Sequence, residues 1–141
     1  MARNRLRRRL SAFLVALTLA GLGYFFREPI REAATTQRVE GQVTRVIDGD
    51  TFEMIYKGDP DKVRIANIDA WEKSDPGGPA ATAYLKRRID GQVVMLKTSR
   101  SRMRDRYGRI LARVYLEDVD IGEEMIARGH ARPWQQKDGN R

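Results

Sequence analysis

The sequence predicts an α+β fold: a five-stranded, OB-fold-like Greek-key β-barrel with two or three helices, preceded by a membrane-directed N-terminal helix. Three observations lead there. Short runs of alternating apolar and polar residues are separated by turn residues, two stretches of helical period interrupt them, and the order is three strands, a helix, two strands, a helix. That order is the content of a closed barrel whose helix lies between its third and fourth strands.

The strands come first. "VEGQVTRVI" (39–47) alternates imperfectly, and "DTFEMIYK" (50–57) sets Phe52, Met54 and Tyr56 on one face. Between them the dipeptide Asp48-Gly49 is a strong hairpin signal. After the turn residues "GDPD", "KVRIANI" (62–68) places Val63, Ile65 and Asn67 on one face and Arg64, Ala66 and Ile68 on the other. "GGPAATAYLKRRI" (77–89) reads as a helix with proline near its start. Ala81, Tyr84, Leu85 and Ile89 share a face, and Lys86, Arg87 and Arg88 fall in the last turns. "QVVMLK" (92–97) and "RILARVYL" (109–116) are two further strands joined by a basic loop. "VDIGEEMIARG" (119–129) gives a short strand end and a second helix, stopped at Gly129 and Pro133.

Charge divides the chain. The net charge is +8, yet residues 1–31 carry seven arginines and one glutamate, leaving the body near neutral. The basic start "MARNRLRRRL" precedes Leu10–Phe26, a 17-residue run without charge. Such a run lies between a signal h-region and a spanning helix. An uncleaved anchor is favoured, with a cleaved signal as the alternative. Arginines in front of the run keep it oriented with the rest exported. The expected organisation is a basic region and anchor or signal over 1–31, a linker over 32–38, a barrel domain over 39–134 and a polar tail over 135–141. The domain is expected in the cell envelope on an inner-membrane anchor, or secreted or periplasmic if the segment is cut. There is no cysteine and one histidine, His130. Disulfides, thiolate metal sites and a cysteine nucleophile are thereby excluded, and acid–base chemistry falls to carboxylates, arginines, tyrosines or water.

Several residues invite a chemical reading. Asp50 and Asp69 are either turn and loop residues or two ligands of a hard cation, which prefers carboxylates, carbonyls and water. Arg64 shares a face with Ala66 and Ile68, so its guanidinium must reach solvent or meet an anion. The loop 97–113 holds Lys97, Arg100, Arg102, Arg104, Arg106, Arg109 and Arg113 against the single Asp105, with Tyr107 inside it. A cluster of that kind suits a phosphate backbone with a stacked base, and Gly108 allows a positive φ there.

Taken together, "VIDGDT" (46–51), "VRIANIDAWE" (63–72), "GPAATAYLKRRI" (78–89), "DRYGRILARVY" (105–115) and "IGEEMIARGHAR" (121–132) resemble the staphylococcal-nuclease-like (thermonuclease) family. The resemblance implies Ca²⁺ ligands at Asp50, Asp69 and the carbonyl of Ala70, a catalytic Glu72, and phosphate-binding Arg64 and Arg109. It also implies nucleic-acid contacts at Tyr107, Arg106 and Lys97. The implied activity is a Ca²⁺-dependent nuclease on DNA and RNA that leaves 3′-phosphates, working as a monomer. The alternative is a catalytically weak OB-fold module that binds nucleic acid at the cell surface. Ala70-Trp71-Glu72 departs from the family's usual Thr-Pro-Glu, and Trp134 is the candidate for a second base-stacking partner.

Overall fold

Strand β1 (Thr36–Val46) serves two partners in succession. Its first part pairs antiparallel with β5 (Val93–Ser99), from Thr36↔Ser99 to Gln42↔Val93. Its second part pairs antiparallel with β2 (Thr51–Tyr56), and the register slips between Val43 and Arg45. A bulge of this sort bends a strand, which is how one strand joins two walls of a barrel. The computed structural model describes residues 35–135, so the 10–26 run and residues 136–141 of the polar tail lie outside them. Among the described residues no helix is long and apolar enough to cross a membrane.

β2 returns through Lys57-Gly58 into β3 (Asp59–Ile65). Both turn residues have positive φ (53° and 94°), the pattern of a type I′ turn, and glycine takes the second position without steric cost. β3 then pairs parallel with β6 (Ile110–Leu116) through Val63↔Ile110, Arg64↔Leu111 and Ile65↔Ala112. Since β6 also pairs with β5, the five strands close in the order β1-β2-β3-β6-β5. This is the expected OB-like barrel.

Phe52, Met54, Val63, Ile65, Leu96, Ile110 and Val114 fill the interior and are fully buried. Helix α1 (Gly78–Ile89) covers one end with Ala81, Leu85 and Ile89, a spacing of four residues that keeps them on one stripe. Helix α2 (Ile121–Ala127) adds Ile121 and Met125. Asp120 caps it by accepting the Glu123 amide at 3.1 Å. It ends in a Schellman arrangement, with Gly129 at φ 74° and the His130 amide donating to the Met125 carbonyl at 2.9 Å.

The alternation expected through 62–68 does not hold. β3 stops at Ile65, Ala66-Asn67 turn, and Ile68 is buried in the core with Val63 and Ile65. The turn resets the parity of side chains, so Ile68 no longer shares a face with Arg64. A short strand, β4 (Ile68–Ala70), follows and pairs antiparallel with β8 (Ala131–Pro133). The two-residue β7 (Val119–Asp120) closes the list.

Candidate active site

Asp50 stands in the β1–β2 loop, and that loop is tightly tied. The Ile47 and Asp48 amides both donate to the Thr51 carbonyl, at 2.9 and 3.1 Å. Asp48 Oδ1 accepts the Asp50 amide at 3.1 Å, an Asx turn. Asp48-Gly49 does not adopt the positive-φ hairpin turn its sequence predicts, because positive-φ glycines among the described residues are Gly58, Gly91, Gly108 and Gly129. Glycine is required at 49 for space. A Cβ there would lie 2.7 Å from Ala70 Cβ and 3.1 Å from Ala81 Cβ, closer than real contacts allow. The loop is thus pressed on β4 and α1, which brings Asp50 to the Asp69-Ala70 segment. The Ala70 amide donates to Asp50 Oδ2 at 3.2 Å.

Arg64 gathers the rest. Its Nη2 lies 3.1 Å from Asp50 Oδ2 and 3.6 Å from Asp69 Oδ1. Its Nη1 donates to the Ile65 and Ile68 carbonyls at 2.5 and 2.9 Å, holding the β3–β4 turn. The two acids expected to sit together therefore do so, and a guanidinium bridges them. Burial pushes the Asp50 carboxyl up, and the Asp48 charge adds to this. Arg64, the Ala70 amide and the Thr51 hydroxyl oppose the rise without cancelling it.

Arg109 reaches the same group through Thr51. Arg109 Nη1 donates to Thr51 Oγ1 at 3.3 Å, and that hydroxyl donates to Asp50 Oδ1 at 3.0 Å. Arg109 Nε is fixed by Asp105 Oδ2 at 2.8 Å, while Asp105 Oδ1 accepts the Tyr107 and Arg109 amides at 2.9 and 3.0 Å. Burial opposes ionisation of Asp105, yet these hydrogen bonds hold its carboxyl below the usual range. Thr51 was not legible as a site residue. It shares a face of β2 with Glu53, opposite the core residues Phe52 and Met54, yet it is 4% exposed and directly opposite Arg64 across β2–β3.

Glu72 follows β4 and is exposed. Its amide donates to Asp75 Oδ2 at 3.2 Å, and its carbonyl accepts the Asp75 amide at 2.9 Å, so the backbone is fixed. Its carboxylate has no hydrogen bond or ion pair among the described residues. Tyr107 is 67% exposed at the turn containing Gly108 (φ 81°), with the Arg106 and Arg109 guanidinium carbons 4.8 and 5.4 Å from its ring centre. Lys97 is placed differently. It stands on the outer face of β5 over the Tyr115 ring at 4.1 Å, and no contact joins it to Asp50, Arg64 or Arg109. Trp134 is exposed, its amide donating to the Asn67 carbonyl at 2.9 Å.

The donor set fits a hard cation. Asp50 and Asp69 supply carboxylate oxygens around one point, now met by Arg64 Nη2. Among the described residues no three His, Cys, Asp or Glu side chains form a metal group, so backbone oxygen and water must complete any coordination shell. His130 packs against Tyr84, ring centres 4.5 Å apart, and is engaged there.

Comparison with known proteins identifies the family of the chain. The profile of the family described as staphylococcal nuclease homologue matches residues 62–141, a stretch that contains Arg64, Asp69, Glu72 and Arg109 and begins after Asp50. An uncharacterized endonuclease of Escherichia coli is 37% identical over 99 residues, covering 70% of this chain and 63% of the relative. A thermonuclease of Staphylococcus intermedius is 34% identical over 111 residues, covering 74% of this chain and 66% of the relative. Endonuclease YncB of Bacillus subtilis is 34% identical over 94 residues, covering 62% of this chain and 44% of the relative. The chain thus spans less than two thirds of the E. coli and B. subtilis relatives' length. With the closed barrel, the clustered acids and arginines, and a family match over more than half its length, this chain belongs to the staphylococcal nuclease homologue family.

Proposed function

We propose that the domain is a calcium-dependent nuclease that hydrolyses phosphodiester bonds of DNA and RNA to 3′-phosphate and 5′-hydroxyl ends. The observation that carries this reading is the convergence of Asp50, Asp69 and Arg64, with Arg109 linked to Asp50 through the Thr51 hydroxyl. Calcium held by Asp50, Asp69 and the Ala70 carbonyl would supply Lewis-acid polarisation and a bound water.

The chain's own groups account for the remaining demands. Glu72, with a free carboxylate on a fixed backbone, orients the attacking water and accepts its proton. The water oxygen bonds to phosphorus as the P–O5′ bond breaks, and the departing O5′ takes a proton from solvent. Arg64 and Arg109 are the donors for the oxygens on which charge grows, and their forked geometry suits phosphate. Arg109 is already aimed by Asp105 and Thr51, so little reorganisation is needed there. Arg64 would have to loosen its hold on Asp50 and Asp69 for those acids to hold the cation.

We further propose that the domain acts outside the cytoplasm as a monomer on an uncleaved anchor, a reading supported by the arginines ahead of the Leu10–Phe26 run. The full chain in detergent micelles should degrade plasmid DNA and RNA with Ca²⁺, stop on chelation, and lose most activity in Glu72→Gln. Absence of Ca²⁺-stimulated cleavage above that variant sinks the enzyme reading, and retained binding would then favour the nucleic-acid-binding module. A reporter fused after Arg141 that stays cytoplasmic overturns the export reading.

A further inference from the structure

A cleft of about 580 Å³ is lined by Trp71, Asp75, Pro76, Gly77 and Arg132. Of these side chains only Asp75, which accepts the Glu72 amide, has a part in the chemistry above, and Trp71 and Asp75 bracket Glu72. Trp71 Nε1 donates to the Gly129 carbonyl at 3.0 Å, which satisfies its polar atom and leaves the ring as an apolar wall. Gly77 lies so close that a Cβ would stand 2.8 Å from Trp71 Cδ1. The Arg132 guanidinium lies over the same ring at 4.4 Å, with no carboxylate paired to it among the described residues. Arg132 is also directly opposite Asp69 across the β4–β8 ladder. One rung therefore separates the cleft from the acid that Arg64 Nη2 approaches at 3.6 Å.

We propose that this cleft is a nucleobase subsite, which takes the base next to the scissile phosphate, stacked against the Trp71–Arg132 pair, with Arg132 also facing that nucleotide's phosphate. The inference rests on the nuclease reading for the identity of the strand. Its chemistry is independent of cleavage. An indole, a proline and glycine backbone make a flat apolar wall, and Asp75 disfavours a phosphate inside the cleft, so the base enters and the phosphate stays at Arg132. Indole and guanidinium planes are both stacking surfaces for bases and tolerate any of them. A base can reach the wall only when it has left a duplex stack. The subsite thus selects single strands or frayed ends over intact duplex.

The test reads binding rather than turnover. The full chain carrying Glu72→Gln and Trp134→Phe keeps Trp71 as its only tryptophan. Its fluorescence should be quenched to saturation by a single-stranded oligodeoxycytidylate, and far less by the blunt duplex or by inorganic phosphate. Adding Trp71→Ala, followed by anisotropy of a labelled oligonucleotide, should weaken single-strand binding about tenfold or more while duplex binding changes little. Gly77→Ala, which pushes a methyl against the ring, and Arg132→Ala provide second and third variants should Trp71→Ala not fold by circular dichroism. Quenching by phosphate alone, or folded variants that bind single strands as tightly as the parent, overturns the subsite. If the Glu72→Gln, Trp134→Phe chain binds and quenches but the unsubstituted chain never cleaves with Ca²⁺, the nuclease reading falls and the subsite stands.

Discussion

Arg64 and Asp50 face each other at 3.1 Å, and each side chain is only 13% exposed. One guanidinium there does two jobs: it neutralises a half-buried acid and it ties down the carbonyls of the β3–β4 turn. The two jobs separate under substitution. Arg64→Met leaves Asp50 without its partner and should cost about 3 kcal/mol of stability in urea unfolding, the scale of breaking a buried pair. Arg64→Lys restores a charge and most of that stability, but a point donor replaces a fork. Its kcat/KM should remain about 10²-fold down.

Glu72 makes the opposite prediction. Because its exposed carboxylate has no partner among the described residues, Glu72→Gln should leave Tm unchanged. Cleavage should fall by about 10²- to 10⁴-fold, the range for removal of a positioned base. A matching loss of Tm would show that Glu72 supports the loop rather than the reaction.

Gly49→Ala tests the packing that brings Asp50 to β4. The new methyl would meet Ala70 Cβ at 2.7 Å, so loop and strand must part. Overpacking of this kind costs about 1–3 kcal/mol. Activity should fall further than stability explains, which assays well below Tm will separate.

Stability against acid rests on the joint between the helices. Arg88 Nε and Nη2 hold Glu124 at 2.8 and 3.0 Å, and the Tyr84 hydroxyl also donates to it. The Arg88 hydrogen bonds, outweighing burial, hold the Glu124 carboxyl below its ordinary 4.5. A folded-state pKa below the unfolded one means that its contribution is full above the unfolded value and is lost as pH falls through the folded value. The window therefore opens near pH 4.5 and extends downward. Glu124→Gln should flatten the unfolding free energy across that window. It should do so only in part, since Arg104 acting on Asp61, and the Arg109 and Tyr107 bonds acting on Asp105, have the same sign.

The barrel was legible because its strands alternate over five or more residues, long enough for a period of two to register. β4 and β8 are three residues each and carry no such pattern. Without them, the parity through Ile68 and the cross-strand position of Arg132 could not be read. The motif residues were legible as a set, but their connections were not. Thr51 looks like any β-branched strand residue until its hydroxyl is found between Asp50 and Arg109. Gly49 looked like a turn glycine and is a packing glycine, a distinction made by Ala70 and Ala81, which lie far from it in sequence. Lys97 belonged to the basic run by composition, while strand alternation turned it outward onto Tyr115.

The parallel seam between β3 and β6 has a consequence for how the chain comes to life. Val63 meets Ile110 only after α1 and β5 have been made, so closure joins segments distant in sequence, the kind of contact that forms slowly. Asp50, Arg64, Asp69 and Glu72 all precede that helix, whereas Arg109 arrives with the closing strand. A nascent chain that has not yet delivered Arg109 lacks one of the two arginines of the candidate site and has an open barrel. If the domain is the nuclease proposed above, its site is completed in one late event, with the closing of the barrel.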